Sequence, residues 1–361
     1  MGEFETVTVV GAGLAGCECA LQLAKRGVRV RLVEQRPLKS SPAHHTDGMA
    51  ELVCSNSLKS TRRDSAAGLL KAELELMGSE LLECAKRASV PAGGALAVDR
   101  ERFSELVGKR VASEPLIEVV REEVRSIPEG RSVIAAGPLC SDALASSLAS
   151  LVGAESLSFF DAAAPIVDAE TIDRSIVFSQ SRYEEQGVGD YINCPMDKSE
   201  YETFMEALLG ADRVVAREFE QKDLFCACQP VEEVARTGMD AARYGAMKPV
   251  GLTDPRTGRR PWAVVQLRPE NAECTAYNLV GFQTNLTWPE QKRVFRLIPG
   301  LENAEFFRYG VMHRNSFVDA PRVLDDTFAI PGTKTRLAGQ ICGTEGYTEA
   351  IASGLLAALN T

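Results

Sequence analysis

The stretch Val7-Thr8-Val9-Val10-Gly11-Ala12-Gly13-Leu14-Ala15-Gly16 reads as a short β-branched strand that runs straight into a glycine-rich turn. A helix-like segment follows from Cys17 to Arg26 and stops at Gly27, and a second strand, Val28-Arg29-Val30-Arg31-Leu32-Val33, ends on Glu34. Strand, glycine turn, helix and strand in this order make a βαβ unit, the opening of a Rossmann-like parallel sheet. Gly11, Gly13 and Gly16 supply the tight turn, the close approach of a pyrophosphate to backbone amides, and close helix packing. Ala12, Leu14 and Ala15 fill the same loop and helix start. Glu34 lies eighteen positions after Gly16, where a carboxylate binds ribose hydroxyls and would repel a 2′-phosphate. The pattern therefore fits FAD or NAD, and not NADP.

Working outward, Leu70, Leu74, Met77 and Leu81 repeat at helical spacing between Ser65 and Arg87, and a further helix is predicted over Arg102 to Ala112. Strands are predicted over Ile117 to Val124 and Ser132 to Ala136, the second stopped by Gly137-Pro138, and Gly137 joins the candidate cofactor residues. From Ser156 to Glu305 the texture changes to alternating strand-like pieces with turn-rich joints, such as Ser175 to Phe178, Ala263 to Leu267 and Asn278 to Phe282. This divides the chain into a first part of a dinucleotide-binding domain (1–155), an inserted second domain (156–305), mainly antiparallel α+β, and a return to the first domain (306–361). The fold class is α/β. Near the end, Ala338 to Glu349 sets Gly339, Gln340, Gly343, Glu345, Gly346 and Tyr347 between a strand and a helix. A second glycine-rich helix start would let amides meet another part of the same long cofactor, which favours FAD over NAD. An ordinary glycine-rich turn is the plain alternative.

Composition bounds the function classes. The 361 residues are 45% hydrophobic and 25% charged, the balance of a soluble, core-forming protein of two or more domains. Disorder, collagen and coiled coil are excluded. No window approaches the roughly 18 apolar residues of a membrane helix, and the acidic start Met1-Gly2-Glu3-Phe4-Glu5 is unlike a signal peptide, so a cytoplasmic location is expected. Ten cysteines without the dense spacing of a stapled scaffold read as reduced thiols. No metal site is expected, since Cys226-Ala227-Cys228 stands without partner ligands. With a net charge of −10, a nucleic-acid partner would need a local basic patch. Candidates are Lys59, Arg62 and Arg63, then Arg256, Arg259 and Arg260, then Lys292, Arg293 and Arg296.

The blocks Val9 to Gly16, Pro42 to Asp47, Glu51 to Leu58, Val90 to Arg100, Tyr191 to Met196, Met247 to Leu252, Val280 to Leu286, Gly310 to Asn315 and Gly339 to Glu349 resemble, in order and along essentially the whole chain, the folate- and FAD-dependent tRNA (uracil-5-)-methyltransferases, the TrmFO family. The resemblance implies a transfer in which 5,10-methylenetetrahydrofolate supplies the carbon, FAD carries and reduces it, and NADH or NADPH recharges the flavin. The implied acceptor is C5 of the T-loop uridine of tRNA. That chemistry calls for a thiolate, because uracil C5 is a poor nucleophile until something adds at C6.

Two cysteines carry over from the family. Cys54, within Val53-Cys54-Ser55-Asn56-Ser57, is similar to the one that lies against the flavin. Cys228, within Cys228-Gln229-Pro230-Val231-Glu232, resembles the one that adds to or deprotonates the uracil. His44, His45 and His313 fall inside family blocks, and His313, Arg314, Asn315 and Lys248 are the candidate folate or substrate contacts. Cys226 departs from the family pattern and is read as incidental. The family also continues for several dozen residues past the position of Thr361, so flavin binding is expected to survive better than RNA methylation. Two alternatives stand beside this reading: the same chemistry on a 23S rRNA uridine, or an FAD- and folate-binding paralogue without RNA methylation. No protein partner is evident.

Overall fold

The computed structural model describes residues 6–41, 43–153, 157–183, 189–214 and 229–361, and gives the backbone but not the side chains of 157–162 and 312–316. Strands in the first part of the chain are β1 (Val7–Val10), β2 (Val30–Glu34), β3 (Ser57–Ser60), β4 (Ser89–Val90), β5 (Ala95–Val98), β6 (Ile117–Arg121) and β7 (Ser132–Ile134). They are followed by β8 (Leu157–Ala162), β9 (Ile166–Asp168), β10 (Phe178–Ser179), β11 (Ile192–Met196), β12 (Ala263–Pro269), β13 (Ala276–Leu279), β14 (Phe306–Arg308), β15 (Met312–Phe317) and β16 (Thr335–Leu337). The helices used below are α1 (Leu14–Lys25), α2 (Ala66–Leu76), α3 (Glu80–Arg87), α4 (Arg100–Ala112), α5 (Asp142–Val152), α6 (Lys198–Leu209), α7 (Val231–Arg236), α8 (Ala241–Tyr244), α9 (Trp288–Phe295), α10 (Ala320–Val323) and α11 (Tyr347–Asn360).

A five-stranded parallel sheet in the order β16-β7-β1-β2-β6 forms the centre. The pleat of β1 sends Val7 and Val9 into one core, shared with α1, α4 and α11, and Val10 into a second, shared with α5 and the segment after β15. Small residues let the helices close in. A Cβ built at Gly354 of α11 would stand 2.2 Å from the Ala15 carbonyl oxygen, so the two helices carrying the glycine-rich starts pack backbone to backbone.

The second sheet, β10-β11-β12-β13-β9-β14, is antiparallel throughout and carries its own core with α6, α7 and α9. The chain passes between the two sheets through β8 and β15, which pair with each other. Asn56, fully buried, ties β5 to β12: its side chain accepts from Arg268 Nε at 2.8 Å and donates to the carbonyls of Val98 and Pro269. Fold and sequence agree on a mixed α/β protein with one parallel sheet, and the remaining sheets, β10-β11-β12-β13-β9-β14, β15-β8 and β3-β5-β4, are antiparallel.

Local differences have local causes. The helical spacing from Ser65 to Arg87 is broken into α2 and α3 at Gly78, whose φ is +73°. Ser79 caps α3, and the buried Glu18 carboxylate accepts from Ser79 Oγ at 3.0 Å and from the Leu81 amide at 2.8 Å. An acceptor at an open helix start is worth more here than continued spacing. The strand expected over Asn278 to Phe282 ends at Leu279, before Gly281 turns with φ +77°. The helix expected from Ala350 begins earlier, at Tyr347.

Candidate flavin and thiol site

The glycine turn is held open by its own backbone. Gly11 has φ +100°, and a Cβ there would stand 2.5 Å from the Ala135 carbonyl oxygen. A Cβ on Gly16 would stand 1.8 Å from the Gly11 carbonyl oxygen. Gly13, the N-cap of α1, has nothing within 4 Å of such an atom and lines an open cavity. Two of the three glycines therefore serve packing, and the third leaves space beside a helix N-terminus that has no side-chain cap.

That cavity has a volume of about 340 Å³, within the range of small-molecule sites. Of the residues singled out from the sequence, Gly11, Gly13, Leu14, Ala15, Glu34, Cys54, Gly137, Gly339, Gln340, Glu345, Gly346 and Tyr347 line it, as does His44. Ala12, Gly16 and Gly343 do not; Ala12 is buried in the turn, and Gly343 ends a 3-10 turn over Gly339–Cys342 with φ +75°. Lys248 is exposed on the turn after α8, away from the cavity lining. His313, Arg314 and Asn315 sit on β15 opposite Asp161, Phe160 and Phe159 of β8, and their side chains lie outside the described residues. Cys226 and Cys228 also lie outside the described residues.

Glu34 is 5% exposed. Its Oε2 accepts from the Ala12 amide at 2.8 Å, and its Oε1 accepts from the amide and Nε of Arg36, both at 3.0 Å. Burial opposes its ionisation most strongly, yet the Arg36 guanidinium and these hydrogen bonds outweigh burial and hold the carboxyl below the usual glutamate range. Arg36 spans to Glu51 Oε2 at 2.9 Å, and Glu51 accepts from the amides of His45 and Thr46, which fastens the His44–Thr46 loop to the end of β2.

Opposite, α11 begins at the N-cap Gly346, φ +97°, and its first residue reaches across the cavity. The Tyr347 hydroxyl oxygen accepts from the amides of Cys54 at 2.9 Å and Ser55 at 3.2 Å. Burial, then the neighbouring Cys54, pushes the phenol up, so it stays protonated. Two half-buried arginines hold the same loop from behind. Arg100, ion-paired with Glu270, donates to the Leu52 carbonyl, while Arg308 donates at 3.2 Å to the carbonyls of Val53 and Ala43. Burial and then Arg100 lower the Arg308 pKa. Cys140 also lines the cavity, but burial pushes its thiol up to about 11, which leaves it protonated near neutral pH.

Glycine turns from both ends of the chain, an acid at the end of β2 and a cysteine loop pinned by a tyrosine thus meet around one cavity. The model of the glucose inhibited division protein A family matches residues 6–361. A Geobacter sulfurreducens protein described as methylenetetrahydrofolate--tRNA-(uracil-5-)-methyltransferase TrmFO is 57% identical over 357 residues, covering 98% of this chain and 82% of the relative. An Acetivibrio thermocellus protein of the same description is 54% identical over 98% of this chain and 81% of its own.

The chain belongs to the TrmFO family.

Among solved structures, Aquifex aeolicus GidA superposes with a TM-score of 0.73 at 16% identity, a likeness of fold, and covers 98% of this TrmFO-family chain while the chain spans 63% of that protein. The sequence missed the supports of the site: Arg36 with Glu51, Arg100 and Arg308 behind Leu52 to Cys54, and Gln283 in the cavity wall. Only Arg36, two residues past Glu34, carried a local signal. The basic clusters proposed for RNA are largely matched by acids: Lys59 with Glu349, Arg62 with Asp64, Arg256 with Asp254, Arg293 with Glu290, and Lys292 and Arg296 with Glu305. No helix among the described residues is long and apolar enough to cross a membrane.

Proposed function

We propose that the chain is a flavoenzyme that takes the one-carbon unit of 5,10-methylenetetrahydrofolate and places it, as a methyl group, on C5 of the T-loop uridine of tRNA, with NADH or NADPH as reductant, in the cytoplasm. The observation that carries this reading is the convergence of Gly13, Glu34, Cys54, Gly346 and Tyr347 on one cavity. The residues fit FAD: the open space at Gly13 lets the α1 amides meet a pyrophosphate, and Glu34 keeps carboxylate lone pairs for ribose hydroxyls at the end of β2. When bound, the flavin supplies the two electrons that turn a methylene into a methyl group. The sum of the reaction is balanced: C5–H of uracil, methylenetetrahydrofolate, NAD(P)H and a proton give C5–CH3, tetrahydrofolate and NAD(P)⁺.

The protein's own part is positioning and nucleophilic help. Tyr347 fixes the amides of Cys54 and Ser55, and Arg100 and Arg308 fix the carbonyls just before them, so the thiol of Cys54 is presented on a loop held from both sides. Cys228 is assigned to the uracil: its thiolate adds at C6, makes C5 nucleophilic, and leaves again when the C5 proton is lost. His313, Arg314, Asn315 and Lys248 are assigned to folate or substrate. A T-loop uridine is stacked inside folded tRNA and has to be extruded to reach such a site.

The test is tritiated methylenetetrahydrofolate offered with unmodified tRNA and with rRNA transcripts, followed by nucleoside analysis. Label in 5-methyluridine from tRNA supports the reading; label in rRNA alone shifts the acceptor, and NADPH oxidation with no RNA label removes the transferase activity.

A further inference from the structure

Lys59 stands at the rim of the flavin cavity in a backbone conformation that lysine rarely adopts. Its φ is +66°, in the left-handed region. It lies in a β-bulge: Ser57 and Ser60 of β3 pair with Ala97 and Ala95 of β5, so the β3 side carries one residue more than its partner. Bulges re-aim side chains, and a left-handed non-glycine persists only where its surroundings hold it. Here the Lys59 amide donates to Ser57 Oγ at 3.1 Å, and Thr348 Oγ1 donates to the Leu58 carbonyl at 3.2 Å, fastening the bulge to the start of α11.

The result is an ammonium beside the cavity's glycine-rich wall. A Cβ at Gly346 would stand 2.7 Å from Lys59 Nζ, and Lys59, Gly346, Tyr347 and Ser55 line the same cavity. Nζ pairs with Glu349 Oε1 at 3.0 Å, with the two side chains 53% and 30% exposed. The other oxygen, Oε2, is buried and has no hydrogen-bond partner among the described residues. A half-exposed ion pair contributes little and exchanges readily, so this lysine is poised to trade one oxyanion for another.

We propose that Lys59 is a docking cation for the anionic tail of the co-substrate that enters this cavity with the flavin, exchanging Glu349 for a carboxylate or phosphate of that molecule. The proposal rests on the flavoenzyme reading above and adds to it a binding residue for the second small molecule. An ammonium is a point charge and does not choose between the glutamyl carboxylates of a folate and the phosphates of a nicotinamide dinucleotide. The bulge and the strained φ are what a merely stabilising surface pair would not need.

The experiment uses the full chain loaded with flavin and compares Lys59→Met, Lys59→Arg and Glu349→Gln. One arm measures KM for methylenetetrahydrofolate with one and with several glutamyl units, in RNA methylation. The other measures KM for NADH and NADPH in flavin-mediated oxidation with dioxygen as acceptor, which needs neither folate nor RNA. Lys59→Met is expected to raise KM for one co-substrate about tenfold, the loss of one charge-assisted hydrogen bond. Lys59→Arg recovers most of it, and Glu349→Gln lowers the same KM, because the competitor for the ammonium is gone.

The proposal is overturned if Lys59→Met and Glu349→Gln raise the same KM alike, as a structural ion pair would. It is also overturned if neither co-substrate's KM moves, if only the KM for RNA rises, or if Lys59→Met loses its flavin. Should the wild-type chain show no folate-dependent methylation, the function proposed above falls, while the NADH arm still reads Lys59.

Discussion

The Tyr347 hydroxyl oxygen accepts a hydrogen bond from the Cys54 amide at 2.9 Å, joining residues 293 positions apart in the chain. Tyr347 opens the helix at the far end, and Cys54 sits on the loop before β3, so one phenol ties the returning helix to the candidate thiol. Replacing it by phenylalanine leaves the Cys54 and Ser55 amides without this acceptor, at a cost of roughly 1–3 kcal/mol for each that stays buried. Tyr347→Phe is therefore expected to fold but to bind flavin about tenfold or more weakly. Titration followed by flavin fluorescence checks this, and unchanged affinity would show that the loop holds itself.

The glycines of the first turn separate packing from ligand approach. Gly16→Ala forces a methyl group against the Gly11 carbonyl, so the variant is expected to be largely insoluble or to melt far below wild type. Gly13→Ala meets nothing in the protein and should keep its melting temperature within a degree or two, about what a surface change gives. It should nevertheless purify nearly colourless. A yellow Gly13→Ala protein would mean that the ligand does not approach this turn.

Acid should release the site in a direction set by Arg36. Glu34 has a folded-state pKa below its ordinary value, so its contribution is present above the unfolded pKa and is lost as pH falls through the folded one. In Arg36→Met the largest influence, burial, is left with less opposition and the Glu34 pKa rises. Flavin release followed against pH is expected to shift to higher pH in this variant, and a shift to lower pH would contradict the assignment.

The two cysteines assigned to chemistry should fail differently. Cys228→Ala is expected to retain flavin and its absorbance spectrum while methyl transfer to tRNA falls by at least about a thousandfold, as for a lost covalent nucleophile. Cys54→Ala removes a group from the cavity wall and should change the flavin spectrum as well as the rate. Full methylation by Cys228→Ala would remove its assigned role.

Signals spread over a few neighbouring residues were legible. The β-branched run, the three glycines and Glu34 describe one βαβ unit whose geometry follows from sterics and periodicity, and the structure places Gly13 and Glu34 on one cavity. The Gly339 to Tyr347 stretch was legible as a second glycine-rich helix start for the same reason. The break between α2 and α3 was not, because it depends on Glu18, sixty-one residues before Ser79, supplying an acceptor at the start of α3.

From its residue order alone this chain specified a parallel sheet, a run of antiparallel strands, and glycines and an acid that the fold brings to one cavity. These follow from backbone sterics and side-chain period, which act within a turn or a strand. Tertiary packing alone decided that Tyr347 pins the Cys54 loop, that Arg100 and Arg308 hold it from behind, and that the bulge in β3 turns Lys59 to the cavity rim. Each depends on a buried or half-buried polar group finding its partner across 48 to 293 residues, a match that burial enforces and no local pattern announces.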